Sequence, residues 1–213
     1  MPATRVLALL LCLAACAPDS ITRVNSPAVS GPGAAKATTT TDDPHFLSAA
    51  TGAPTIANPV VSFWAKSGVD RTGSMVYHAA PGATDSVVFF SLRVRAKSLL
   101  TRPDGTAIAP GDSILITLTL VDPERLVVDC QPAGLRFNPD APARLRMSFA
   151  ETDPDVNGNG VVNGQDSALV RSFGVWRQED ALSPWLRLPS AVDTTAHEVE
   201  TEIGGFTGYV IAW

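Results

Sequence analysis

Alternation of apolar and polar positions with the period of a strand is the strongest signal along this chain. From Ser86 to Ala96, Val88, Phe90, Leu92, Val94 and Ala96 fall on one side and Arg93 and Arg95 on the other, as in a sheet with one buried and one wet face. Ser113 to Val121 sets Ile114, Ile116, Leu118 and Leu120 against Thr117 and Thr119. Arg144 to Phe149 sets Leu145, Met147 and Phe149 against Arg144 and Arg146, and Glu198 to Ile203 sets Val199, Thr201 and Ile203 against three glutamates. Shorter apolar runs predict further strands at Val60–Lys66, Met75–His78, Leu126–Gln131, Val175–Arg177, Trp185–Leu188 and Tyr209–Trp213. Turn chemistry separates them at Pro103-Asp104-Gly105, Pro110-Gly111-Asp112, Asp122-Pro123 and Asn138-Pro139. Many short strands between such turns predict a mainly β chain folded as a single antiparallel β-sandwich over residues 58–213, an ordinary size for one domain.

The pattern changes at both places where no strand is predicted. Residues 16–57 are rich in Ala, Pro, Ser, Thr and Gly, include a run of threonines from Thr38 to Thr41, and show neither period. They are expected to form a flexible tether, spanning about 35 Å by random-coil scaling. Residues 1–15 carry Arg5 and then an apolar run from Val6 to Ala15. That run is too short to span a bilayer, which takes about 20 apolar residues, and is expected to be a signal peptide excluded from the fold.

Leu13-Ala14-Ala15-Cys16 resembles the lipobox of bacterial lipoproteins. The resemblance implies cleavage before Cys16, acylation of its sulfur and a membrane partner held through that lipid. An ordinary secretory signal with an incidental cysteine is the other reading. With Ala17 rather than an acidic residue following, the family's sorting rule implies the outer membrane or cell surface in a double-membraned organism. Several acyl chains on one residue anchor far more firmly than one.

The second interruption, Asp155-Val156-Asn157-Gly158-Asn159-Gly160-Val161-Val162-Asn163-Gly164-Gln165-Asp166, matches a twelve-residue calcium loop at each defining position. A hard cation takes six to eight oxygens. Asp155, Asn157, Asn159 and Asn163 stand at positions 1, 3, 5 and 9, the Val161 carbonyl at 7, and Asp166 closes the shell at 12. Gly160 stands at position 6, where the chain turns sharply. Val162 is expected to fasten the loop to the core, Asp153 to add charge from outside, and Asp166–Phe173 to form one short helix that Gly174 stops. With two carboxylates, affinity is expected on the order of 10⁻⁴ to 10⁻³ M. An Asn/Asp/Gly-rich turn without a metal uses the same residue types.

This EF-hand-like run is similar to one repeat of a dockerin, which implies the same ligands and a place in a polysaccharide-degrading system. One repeat stands where dockerins carry two, and Gly164-Gln165 replaces their Ser/Thr recognition pair. Separately, Leu126–Pro142 leading into Arg144–Phe149 resembles the sandwich domain of zonula occludens proteins, ankyrins and netrin receptors, through Pro132, Gly134, Leu135 and Phe137. That resemblance implies a fold and an adaptor-like habit.

Composition narrows the rest. The formal charge of −5 argues against a nucleic-acid partner. Cys12 leaves with the signal and Cys16 carries lipid, so Cys130 stands alone and reads as a small buried hydrophobe. His45, His78 and His197 have no zinc spacing, and no nucleophile elbow or phosphate loop is present. The sequence therefore does not argue for an enzyme. Trp64, Trp176, Trp185 and Trp213 could supply a platform for sugar rings or simply fill the core. Arg93, Arg95, Arg144 and Arg146 read as a solvated face before an anion site. A structural or adhesive role with a protein partner leads, and a carbohydrate-binding accessory role is the second reading.

Overall fold

The structure, a computed structural model, describes residues 43–79 and 86–213. Cys16, the signal-peptide expectation and residues 1–42 as a whole lie outside the described residues. No helix among the described residues is long and apolar enough to cross a membrane.

Two antiparallel sheets pack face to face. One has six strands in the order β1 (Val60–Lys66), β5 (Ser113–Asp122), β6 (Val127–Gln131), β13 (Gly208–Ala212), β9 (Gly174–Gln178) and β10 (Leu186–Arg187). The other has five: β11 (Ser190–Asp193), β12 (Glu198–Ile203), β8 (Ala143–Ser148), β3 (Val88–Val94) and β2 (Arg71–Val76). A small pair, β4 (Leu99–Thr101) with β7 (Arg136–Phe137), lies apart from both. One helix, α1 (Gly164–Val170), follows the loop. The sandwich and its single short helix are thus as the alternation predicts.

The alternating runs bury the faces they advertise. Phe90, Leu92, Leu145, Met147, Ile116, Leu118 and Val199 are all fully enclosed between the sheets, each such side chain contributing roughly 1.5–3 kcal/mol. The opposite face of the five-stranded sheet is a ladder of ion pairs. Arg144 reaches Glu200 and Glu202, Arg146 reaches Glu198 and Glu200, and Arg93 reaches Asp70. These arginines are paired with carboxylates on neighbouring residues, and their side chains remain about half exposed to solvent. Such exposed pairs add little stability each.

Register shifts account for one departure. Met75 pairs with Phe90 but Val76 pairs with Val88, which leaves Phe89 as the extra residue of a bulge. The strand's parity flips there: Phe89 is buried edge-on against Tyr77, and Val88, predicted to face inward, is exposed. The strand also ends at Val94 because Arg95–Ser98 form a turn, with the Ser98 N–H on the Arg95 carbonyl at 2.9 Å. Between β12 and β13 the chain changes sheets, and the buried Tyr209 hydroxyl donates to the Gly205 carbonyl, fixing that corner. Cys130 is fully enclosed in β6, as expected of a small hydrophobe, and burial pushes its thiol well above the usual range.

The expected tether boundary at residue 58 is corrected. Residues 45–57 are laid onto the sandwich as a strap. His45 and Trp213 exchange both backbone hydrogen bonds at 3.2 Å, and the Leu47 N–H donates to the Ile211 carbonyl. The strap thereby occupies the side of β13 that β6 leaves open, since β6 pairs with β13 only at Gly208 and Tyr209. Leu47 enters the main core at 5% exposure. Phe46 joins a second cluster on the outer face of the six-stranded sheet, over Trp176, Val210 and Ala212, with Trp185 against its edge. Further along, the Ala57 N–H donates to the Val76 carbonyl and the His78 N–H to the Thr55 carbonyl. Unpaired strand groups would otherwise be left open along β13 and β2.

Candidate calcium loop

The loop sits at one end of the sandwich, between β8 and α1. The chain leaves β8 at Phe149, whose N–H donates to the His197 carbonyl, and turns at Thr152, whose hydroxyl donates back to the Phe149 carbonyl at 2.8 Å. From there the strap holds it: the Asp153 N–H donates to the Ser48 carbonyl, and the Ala50 N–H to the Glu151 carbonyl. The loop returns to the core through Phe173, which meets Phe149 edge-to-face at 5.2 Å.

Within the loop, side-chain oxygens bind backbone N–H groups in succession. Asp155 Oδ1 accepts from Asn159 N–H at 3.1 Å and Oδ2 from Gly160 N–H at 2.6 Å. Asn157 Oδ1 accepts from Asn159 N–H, and Asn159 Oδ1 from Val161 N–H. Asn163 is the N-cap of α1: its Oδ1 accepts from Gln165 N–H at 2.7 Å, and its Nδ2 donates to the Val161 carbonyl. Asp166 completes a capping box through Asn163 N–H at 2.8 Å and reaches across to Asn157 N–H at 3.2 Å. All five side chains and the one carbonyl picked out by sequence therefore meet in one hydrogen-bonded unit. Gly160 has φ +83° and Gly158 φ +67°, the left-handed backbone that the sharp turn requires and that a Cβ would strain.

Asp166 is the most enclosed charged group of the loop, with 2% of its surface exposed. The Asn163 N–H, and after it the Asn157 N–H, hold its carboxyl below the usual range against the opposing pull of burial. It is thus an anion in place, with lone pairs beyond those that its two N–H partners use. That is the chemistry a hard cation takes, and the donor set of two carboxylates, three amide oxygens and a carbonyl fits calcium in kind. No cluster of three or more His, Cys, Asp or Glu side chains suited to a metal occurs among the described residues. The loop's own oxygens come mostly from amides.

One expectation about how the loop is fastened is corrected. Val162 is 61% exposed, and Val156 and Val170 instead pack against the core. In the observed turn, position 2 faces the sandwich and position 8 faces water. Asp153, expected to add charge from outside, stands at the loop's entry, where its Oδ1 accepts from Asp155 N–H at 3.0 Å. The helix spans Gly164–Val170, beginning earlier than Asp166 because Asn163 caps it, and ending before Phe173.

The remaining candidates disperse. Trp176 is buried, Trp185 lies against Phe46, Trp213 stacks on His45 at 4.4 Å, and Trp64 alone of the four is largely exposed, at 62%. What sequence reading missed is the strap; the adjacent bulky pair Phe46-Leu47 in a stretch of small residues was the available signal. No family model, curated protein or solved structure matches this chain.

Proposed function

We propose that this protein is an envelope lipoprotein, anchored through acylated Cys16, whose β-sandwich is braced by calcium in the 155–166 loop and serves a structural, adhesive or protein-docking role. The observation that carries the calcium reading is the convergence of Asp155, Asn157, Asn159, Asn163 and Asp166 in one unit around two left-handed glycines. In that reading the two carboxylates supply charge, the amides and the Val161 carbonyl fill out the oxygen shell, and the ion ties the entry turn to the first turn of α1. Bound calcium contributes stability by mass action, because it binds the folded loop and not the unfolded chain.

Titration calorimetry and thermal melting of the full chain test this. Saturable calcium binding in the extracellular range, on the order of 10⁻⁴ to 10⁻³ M, with a higher melting temperature than in chelator, is the expected result. The Asp155→Ala, Asp166→Ala double variant should lose that rise, and a rise that survives it removes the loop from the account. Anchoring is tested by replacing Cys16 with Ser in cells: the protein should leave the membrane fraction and lose incorporated acyl label. Release of the wild-type chain from the membrane fraction with no incorporated label would favour an ordinary secretory signal.

A further inference from the structure

The chain has six asparagines, and the three followed by glycine, Asn157, Asn159 and Asn163, all lie in the loop. Asn58 and Asn138 precede proline, which has no N–H, and Asn25 precedes serine. An asparagine side chain is attacked by the backbone nitrogen of the next residue, and glycine hinders that attack least because it lacks a Cβ. Each loop asparagine also accepts a hydrogen bond from the N–H two residues on: Asn157 from Asn159, Asn159 from Val161, Asn163 from Gln165. These hydrogen bonds draw charge from each side-chain carbonyl, the group under attack.

The nucleophiles differ. Gly158 N–H donates to the Asp155 carbonyl at 3.1 Å and Gly160 N–H to Asp155 Oδ2 at 2.6 Å, which ties up both nitrogens. Gly164 N–H, at the start of α1, has no acceptor among the described residues. We infer that Asn163 is a site of spontaneous deamidation, converting ahead of its two neighbours. The Gly164 nitrogen gives up its proton and bonds to Asn163 Cγ, the Cγ–Nδ2 bond breaks, and Nδ2 takes up a proton and leaves as ammonia. Water then opens the resulting succinimide at either carbonyl, leaving aspartate or isoaspartate. The aspartate product gives the loop a third carboxylate and a closer match to a divalent cation. The isoaspartate product lengthens the backbone by one carbon at the helix cap and loosens the loop. The conversion is independent of the calcium reading, whereas its effect on the ion rests on it.

Ageing the full chain at physiological temperature and mildly alkaline pH, followed by peptide mapping by mass spectrometry with isoaspartate detection, tests this. Wild-type protein should convert at Asn163 before Asn157 and Asn159, with Asn58 and Asn138 intact. Gly164→Ala should slow Asn163 several-fold while keeping the fold, since nothing lies within 4 Å of the added Cβ and the backbone there is not left-handed. Equal rates at the three asparagines, or a Gly164→Ala variant that converts as fast as wild type, would overturn the inference. Ageing in calcium and in chelator separates the two ideas. Slower conversion in calcium supports Asn163 as a ligand, and equal rates count against the calcium reading while leaving deamidation in place.

Discussion

The strap at residues 45–57 and the loop at 155–166 both lack regular secondary structure over most of their length, and they are held in place by opposite means. The loop is held mainly by itself: its Asp and Asn side chains accept from its own backbone N–H groups within a span of a few residues. The strap makes its longest connections elsewhere, to Trp213, Ile211, Glu124, Glu151 and Val76, and its burial depends on Leu47 and Phe46 entering two separate clusters. The loop is a local structure placed at the end of the sandwich; the strap is shaped only by the sandwich. The strap meets the segment that leads into the loop, Ser48–Ala50 lying against Glu151–Asp153.

The difference predicts where damage is largest. Leu47→Ala removes the strap's one fully buried side chain from the main core, and should cost about 2–5 kcal/mol in urea or thermal unfolding. A change near zero would return residues 45–57 to the status of a tether and erase the contrast. The loop should respond next, and to pH. Asp166 has its folded-state carboxyl depressed by the Asn163 N–H, so its charged form favours the folded state. Its contribution is complete above the unfolded carboxylate range, about 4, and is lost as pH falls through the lower folded value. Asp166→Asn should therefore be less stable than wild type at neutral pH, and the gap should close on acidification. A gap that is constant or widens toward acid would mean that the carboxylate is not what holds the loop. The smallest effect belongs to Val162, where replacement by Ser should change stability by no more than about 0.5 kcal/mol. The same replacement at Val156, which packs on the core, should cost visibly more in the same melts.

How far each region is legible in sequence follows from the same contrast. The loop's residue types and spacing are visible because the hydrogen bonds of its Asp and Asn side chains stay within the loop, so Asp155, Asn157, Asn159, Asn163 and Asp166 can be named without knowing the fold. Which valine anchors it is not visible, since that depends on which side of the loop the sandwich presents. The long strands β5, β8 and β12 are legible from alternation, and β1 from its apolar run. The short ones β4, β7 and β11 are not, because strands of two to four residues show too few turns of the pattern to register.

Sequence alone determined that this chain is a β-sandwich, which faces of its long strands are buried, and where a loop of oxygen donors lies, because period and local hydrogen bonding are properties of neighbouring residues. Tertiary structure decided that Phe89 rather than Val88 turns inward, that Arg93, Arg144 and Arg146 are paired with carboxylates, and that residues 45–57 are laid onto the sandwich. Each of those depends on a partner far away in the chain, and linear spacing carries no record of which distant strand leaves an edge open.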